Sequence, residues 1–193
     1  MTDLQLPMPS RRSLIGGAGK TLSVAAVAMI VGGCSNAATA NGSGDTAQDV
    51  SLLNAAIALE HEGIAAYQIA ATSGLLDPAV VDIGVTFQGH HKGHRDELEK
   101  ALRQLGGTPV AAKTEAEYAE ALNVASLKNQ EDVLRLALGL ERGAANAYLG
   151  LIPSLGVDFH QVAAQMAGDE AFHAAILGNA LGEPIPKAAL IFG

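Results

Sequence analysis

Glu170 and His173 stand three residues apart inside an otherwise apolar helical stripe, Phe159, Ala163, Met166, Glu170, His173, Leu177, Ala180. Steps of four and three keep all of these side chains on one face of a single helix. Three other stretches have the same form. One is Leu53, Ile57, Glu60, Ile64, Tyr67, Ala71, and another is Leu134, Leu138, Glu141, Ala145, Tyr148, Ile152. The third is Val80, Gly84, Phe87, His91, His94, Leu98, Ala101, Leu105. Each helix therefore turns one or two metal-ligand side chains toward the same core. An isolated charge in a core is costly, so four such placements call for a common partner, and a pair of metal ions is the simplest one.

Helix signals around these stripes define an all-α chain. Thr46-Ala47-Gln48-Asp49 reads as a capping box opening a first helix that runs to Ser73-Gly74. Asp77-Pro78 supplies an N-cap and an N1 proline for a second helix, which ends at Gly106-Gly107. A third helix spans Asn129 to Ile152 and stops at Pro153, and a fourth starts at Asp158 and closes at Leu181-Gly182. The link from Thr108 to Lys128 is long, and Thr114-Glu115-Ala116-Glu117 reads as the start of a short helix within it. The helices also repeat. Laying Glu60 on Glu141 brings Tyr67 onto Tyr148, an offset of 81 residues, and laying His94 on His173 brings Leu98 onto Leu177, an offset of 79. Two helix hairpins at nearly one offset imply halves related by a pseudo-twofold axis, with the long link as the crossover.

The first 40 residues read as an address and tether rather than fold. Ser10-Arg11-Arg12-Ser13-Leu14-Ile15 resembles a twin-arginine export signal and precedes a weakly apolar run from Thr21 to Val31. Two cleavage readings compete. Val31-Gly32-Gly33-Cys34 resembles a lipobox that would lipidate Cys34, the sole cysteine, while Ala38-Thr39-Ala40 suits ordinary signal peptidase. The lipobox is favoured because Cys34 falls at the end of the apolar run, which is too short for a permanent span. Both readings place the product outside the inner membrane, in the periplasm or outer envelope. Residues 46–182 then form the bundle and 183–193 a Pro-containing tail. From Asn41 onward nine Lys/Arg face nineteen Asp/Glu, which argues against nucleic acid and anionic lipid surfaces as partners. Gly19-Lys20-Thr21 looks like the end of a phosphate loop, but Leu14 stands where its first glycine belongs.

With this stripe pattern from about Asp49 to Gly182, the chain resembles the ferritin-like superfamily, more nearly its small exported members than the cage-forming ferritins. That pattern takes one Glu from each of two helices and Glu-x-x-His from each of the other two. The resemblance implies Glu60 and Glu141 as terminal ligands, Glu170 as a bridge, and His94 and His173 as caps on the two metals. One position departs from it. His91 stands where the second bridging Glu belongs, and a neutral imidazole with one lone pair does not bridge as a carboxylate does. The ligand set is thus Glu60, His91, His94, Glu141, Glu170 and His173. Iron or manganese is the expected cofactor, and zinc or copper enters because of His91.

The expected activity is oxidation chemistry with oxygen or peroxide at a mono- or dinuclear site, with metal ions as the partners. The alternative is a metal-free helical envelope protein serving in interaction or stress protection. Tyr67 and Tyr148, two turns beyond their Glu, read as core packing rather than chemistry. His61, Glu62, His90 and His160 lie off the stripes and read as solvated. Arg95 and Arg142 each follow a ligand position directly and should project away from it.

Overall fold

Asp45 caps the first helix, its carboxylate accepting the Ala47 N–H at 3.1 Å. The computed structural model describes residues 45–193, so the export signal, the tether and Cys34 lie outside the described residues. Helix α1 runs Thr46–Thr72, α2 Pro78–Gln104, α3 Glu115–Ala121, α4 Gln130–Leu151 and α5 Val157–Ala180, with 3-10 turns at Val124–Ser126 and Ile152–Ser154. Among the described residues there is no strand.

Local chemistry accounts for most boundaries. Pro78 occupies the first turn of α2, where its missing N–H has no intrahelical partner to lose. Thr114 and Glu117 form the capping box of α3, and the Asn129 side chain caps α4 on the Asp132 N–H. Gly106 and Gly182 close α2 and α5 in the left-handed region, at φ +77 and +68. Each is followed by the paired backbone bonds that satisfy a helix's last carbonyls, Gly107 N to Leu102 O and Glu183 N to Gly178 O.

Two boundaries differ from the sequence reading. The first cap is Asp45, one residue before Thr46, and Asp49 is not part of a capping box. It is buried and accepts the Gly156 N–H at 2.7 Å, tying α1 to the N-terminus of α5. Gly156 in turn caps α5, which starts at Val157, one residue before the expected Asp158. Local sequence rules miss this because the partner lies 107 residues away.

α1 packs along α2, and α4 along α5, giving the two predicted hairpins. The crossover returns along α1, where Asn54 bonds both the Thr108 carbonyl and the Val110 N–H. Apolar side chains form two buried clusters at opposite ends of the bundle. Leu53, Ile57, Leu98, Tyr148 and Met166 belong to one, and Tyr67, Phe87, Leu138 and Leu177 to the other. Each large aliphatic residue buried this way contributes roughly 1.5–3 kcal/mol. Between the two clusters lies a polar layer, and no helix among the described residues is long and apolar enough to cross a membrane.

Candidate metal centre

The polar layer holds all six residues picked out by the stripes. Glu60, His91, His94, Glu141, Glu170 and His173 are each at most 8% exposed. His91 lies at the middle of them. Its Nδ1 meets Glu60 Oε2 at 2.8 Å and its Nε2 faces Glu141 Oε1 at 3.3 Å. His94 turns Nδ1 to Glu170 Oε1 at 3.1 Å, and His173 turns Nδ1 to Glu170 Oε2 at 3.2 Å and Glu141 Oε2 at 3.3 Å. Glu170 therefore offers one oxygen to each end histidine, as the i, i+3 spacing on α5 allows.

The arrangement makes two overlapping groups. Glu60, His91, His94 and Glu170 form one, and His91, Glu141, Glu170 and His173 the other, with the ligand atoms of each within 4.8 Å of one another. His91 and Glu170 belong to both. Nitrogen and carboxylate donors at this spacing suit a first-row transition metal, so either group can hold an ion.

A second layer of partners orients these side chains, and part of it was missed from sequence. The Tyr67 hydroxyl donates to Glu141 Oε1, and the Tyr148 hydroxyl donates to Glu60 Oε1. Each tyrosine serves the carboxylate of the opposite hairpin, which the repeat of offset 81 foreshadows. They pack in the core as expected, but their hydroxyls fix the two end carboxylates. His90 is exposed yet reaches His173 Nε2 with Nδ1 at 2.9 Å, and Asp169 Oδ2 takes His94 Nε2 at 3.1 Å. Both end histidines thus face Glu170 with Nδ1 and have Nε2 held from outside, the usual way a protein orients an imidazole toward a metal.

The remaining off-stripe histidines are held by backbone rather than left to solvent. His61 Nε2 meets the Val110 carbonyl at 3.1 Å and His160 Nε2 the Leu155 carbonyl at 2.9 Å. Arg95 pairs with Asp96 and Arg142 with Glu183, both away from the centre as expected.

Electrostatics follow from this packing. Burial pulls down the pKa of His91, but hydrogen bonds to Glu141 and Glu60 outweigh it and raise the imidazole well above its ordinary value. His94 is likewise pulled down by burial and raised further by Glu170 and Glu60, to about 10. Burial would lift Glu60 and Glu141, yet their histidine partners hold both carboxyls below the ordinary range. For Glu170 burial prevails and the carboxyl is pushed up.

A family model described as a ferritin-like domain matches residues 48–183. The chain belongs to the ferritin-like family. That match takes in all five helices except the first residues of α1, and all six buried ligand-type side chains. A crystal structure of a conserved hypothetical protein from Mycobacterium tuberculosis is similar to this ferritin-like chain, with a TM-score of 0.60 and 25% identity over 74% of this chain and 96% of that one. Among curated proteins nothing matches.

Proposed function

We propose that this ferritin-like chain binds one or two transition-metal ions, iron or manganese, in the buried layer and uses them in chemistry with oxygen or peroxide. The observation that carries the reading is the pair of overlapping ligand groups sharing His91 and Glu170. A redox-active ion held there would supply the electrons for reducing oxygen or peroxide. The protein's own part is to hold the ligands. Glu60 and Glu141 are pinned by the tyrosines, His94 and His173 are oriented by Asp169 and His90, and the two apolar clusters exclude bulk water. His91, in place of a fourth carboxylate, lowers the negative charge of the site and keeps zinc and copper in contention.

Export forms part of the proposal. The Arg11-Arg12 signal and the lipobox ending at Cys34 support delivery across the inner membrane by the twin-arginine route and attachment to lipid in the envelope.

A second reading is favoured by a specific observation. Among the described residues no buried side-chain nitrogen or oxygen lacks a partner, and His91 and His94 each sit between carboxylates. Such a layer is self-satisfied when its histidines are protonated, which suits a metal-free structural bundle. Elemental analysis of the purified, untagged full-length chain separates the two, run beside a Glu141→Ala, His173→Ala double variant. Close to two iron or manganese per chain, lost in the variant, supports the oxidation reading. One zinc or copper per chain redirects it to binding or delivery, and no metal in a folded sample leaves the structural reading.

A further inference from the structure

The two ligand groups are built from matching parts. On the repeat, Glu60 corresponds to Glu141 and Tyr67 to Tyr148, while His94 corresponds to His173 and His91 to Glu170. Each group thus has a carboxylate of its own, held by a tyrosine of the other hairpin, an end histidine of its own, and the shared His91 and Glu170. The offset of 79 also lays His90 on Asp169, and these two residues do not match. Both are exposed, and each reaches across to the outer nitrogen of the other hairpin's end histidine. Asp169 on α5 meets His94 Nε2 at 3.1 Å, and His90 on α2 meets His173 Nε2 at 2.9 Å. One half therefore has an acid where the other has an imidazole.

We propose that this mismatch makes the two subsites unequal. The Glu60–His94 subsite, backed by Asp169, fills first and binds its ion more tightly than the Glu141–His173 subsite, backed by His90. The inference rests on the metal reading and adds to it an order of filling. A histidine that ligates through Nδ1 carries its proton on Nε2 and donates it outward. Donated to a carboxylate, that hydrogen bond is charge-assisted and makes the ring a stronger base toward a metal. Donated to a neutral imidazole, it does so less. Asp169 also adds a negative charge next to His94, where His90 adds none beside His173. His91 widens the difference. Its neutral ring has one lone pair and its two nitrogens face Glu60 and Glu141, so it serves whichever subsite fills first and is lost to the other. Asp169 decides which.

The test is a calorimetric titration of the metal-stripped full-length chain with cobalt(II) at neutral pH. It compares the native chain with Asp169→Asn, which keeps an oxygen acceptor and removes the charge, and with His90→Asp, which copies Asp169 at the equivalent position. Both positions are exposed, so the variants should fold, and melting curves in chelator verify it. The first ion should bind the native chain at least about tenfold more tightly than the second. Asp169→Asn should weaken the first step by about tenfold and leave the second unmoved. That is the lower end of the roughly 10–100-fold that such a partner contributes, because the Asp169 side chain is 61% exposed. His90→Asp should tighten the second step by a similar factor, a gain that a merely structural role would not produce. Where the native chain takes one ion, the same loss in Asp169→Asn and a second ion gained in His90→Asp support the order equally. Two ions of equal affinity, or a first step that Asp169→Asn leaves unmoved, overturns the order of filling and leaves the metal reading intact. A second step that His90→Asp does not tighten overturns the part given to His90. No uptake by the native chain overturns the metal reading, and the order of filling with it.

Discussion

A Cβ built on Gly63 lies 3.0 Å from both Nδ1 and Cε1 of His91. The imidazole at the centre of the polar layer therefore packs against bare backbone of α1, and the glycine makes room for it. His91 has nowhere to retreat, because Glu60 and Glu141 hold its two nitrogens.

Gly63→Ala consequently sets helix propensity against packing. Alanine should gain about 0.5–1 kcal/mol as a helix former, while overpacking a buried ring costs about 1–3 kcal/mol. The clash outweighs the gain, and the melting temperature should fall by a few degrees. Gly150→Ala, where the added carbon meets nothing within 4 Å, should raise it instead. Thermal melts of the two variants in chelator check the contrast, and a rise in both would show that His91 is not confined by Gly63.

Tyr67→Phe and Tyr148→Phe each remove a hydroxyl from a buried carboxylate while keeping the ring. A hydrogen bond to a charged group contributes about 1.5–3 kcal/mol, and both carboxylates are at most 1% exposed, so water does not replace the lost donor. Urea unfolding should report a loss of that size in each variant with an unchanged m-value. A loss near zero in either would mean that its tyrosine is only packing.

The metal-free protein should also lose stability at high pH. His94 is raised from 6.5 to about 10, and His91 moves the same way. A base with a raised folded pKa stabilises fully below its unfolded value and loses that contribution as pH rises toward the folded one. Melting temperature in chelator should thus decline between pH 6.5 and 10, and His94→Gln should flatten the decline. The depressed carboxyls, Glu60 and Glu141, act in the opposite direction, and their contribution fades as pH drops below 4.5. Metal binding should show the reverse trend through neutral pH, because it competes with the same protons. A flat melting profile from pH 6.5 to 10 in chelator would refute the charged-histidine layer.

The ligand stripes were legible because helix periodicity alone determines which residues share a face. Glu60, His91, His94, Glu141, Glu170 and His173 needed only that periodicity and one common core to converge. Caps and turns were readable where the signal is local, as at Thr114, Asn129 and Gly106. What stayed hidden depends on contacts between hairpins. Asp49 looked like a capping residue, but its partner is on the far hairpin. His90 is off the stripe and exposed, yet a long ring on α2 still reaches His173 on α5. The tyrosine hydroxyls could have been anticipated from the repeat, since a twofold relation that pairs Tyr67 with Tyr148 also pairs their targets.

His91→Glu tests whether the histidine is a departure that the site depends on. The change replaces an imidazole lying between Glu60 and Glu141 with a carboxylate, gathering four acids in one buried layer. Without metal these groups repel one another, and a buried charge stripped of its partner costs about 3–5 kcal/mol. The chelated variant should therefore melt well below the parent. Divalent iron or manganese should restore it by a larger increment than the parent shows, since an ion bound only by the folded state stabilises by mass action. Iron occupancy should rise with it, because the second carboxylate bridge is then present. If occupancy falls while zinc or copper binding is lost as well, His91 is a working ligand for those metals and the parent site is built around it. If the variant folds in chelator as stably as the parent, the layer does not need a cation at that position, and the self-neutralised network is not what holds it together.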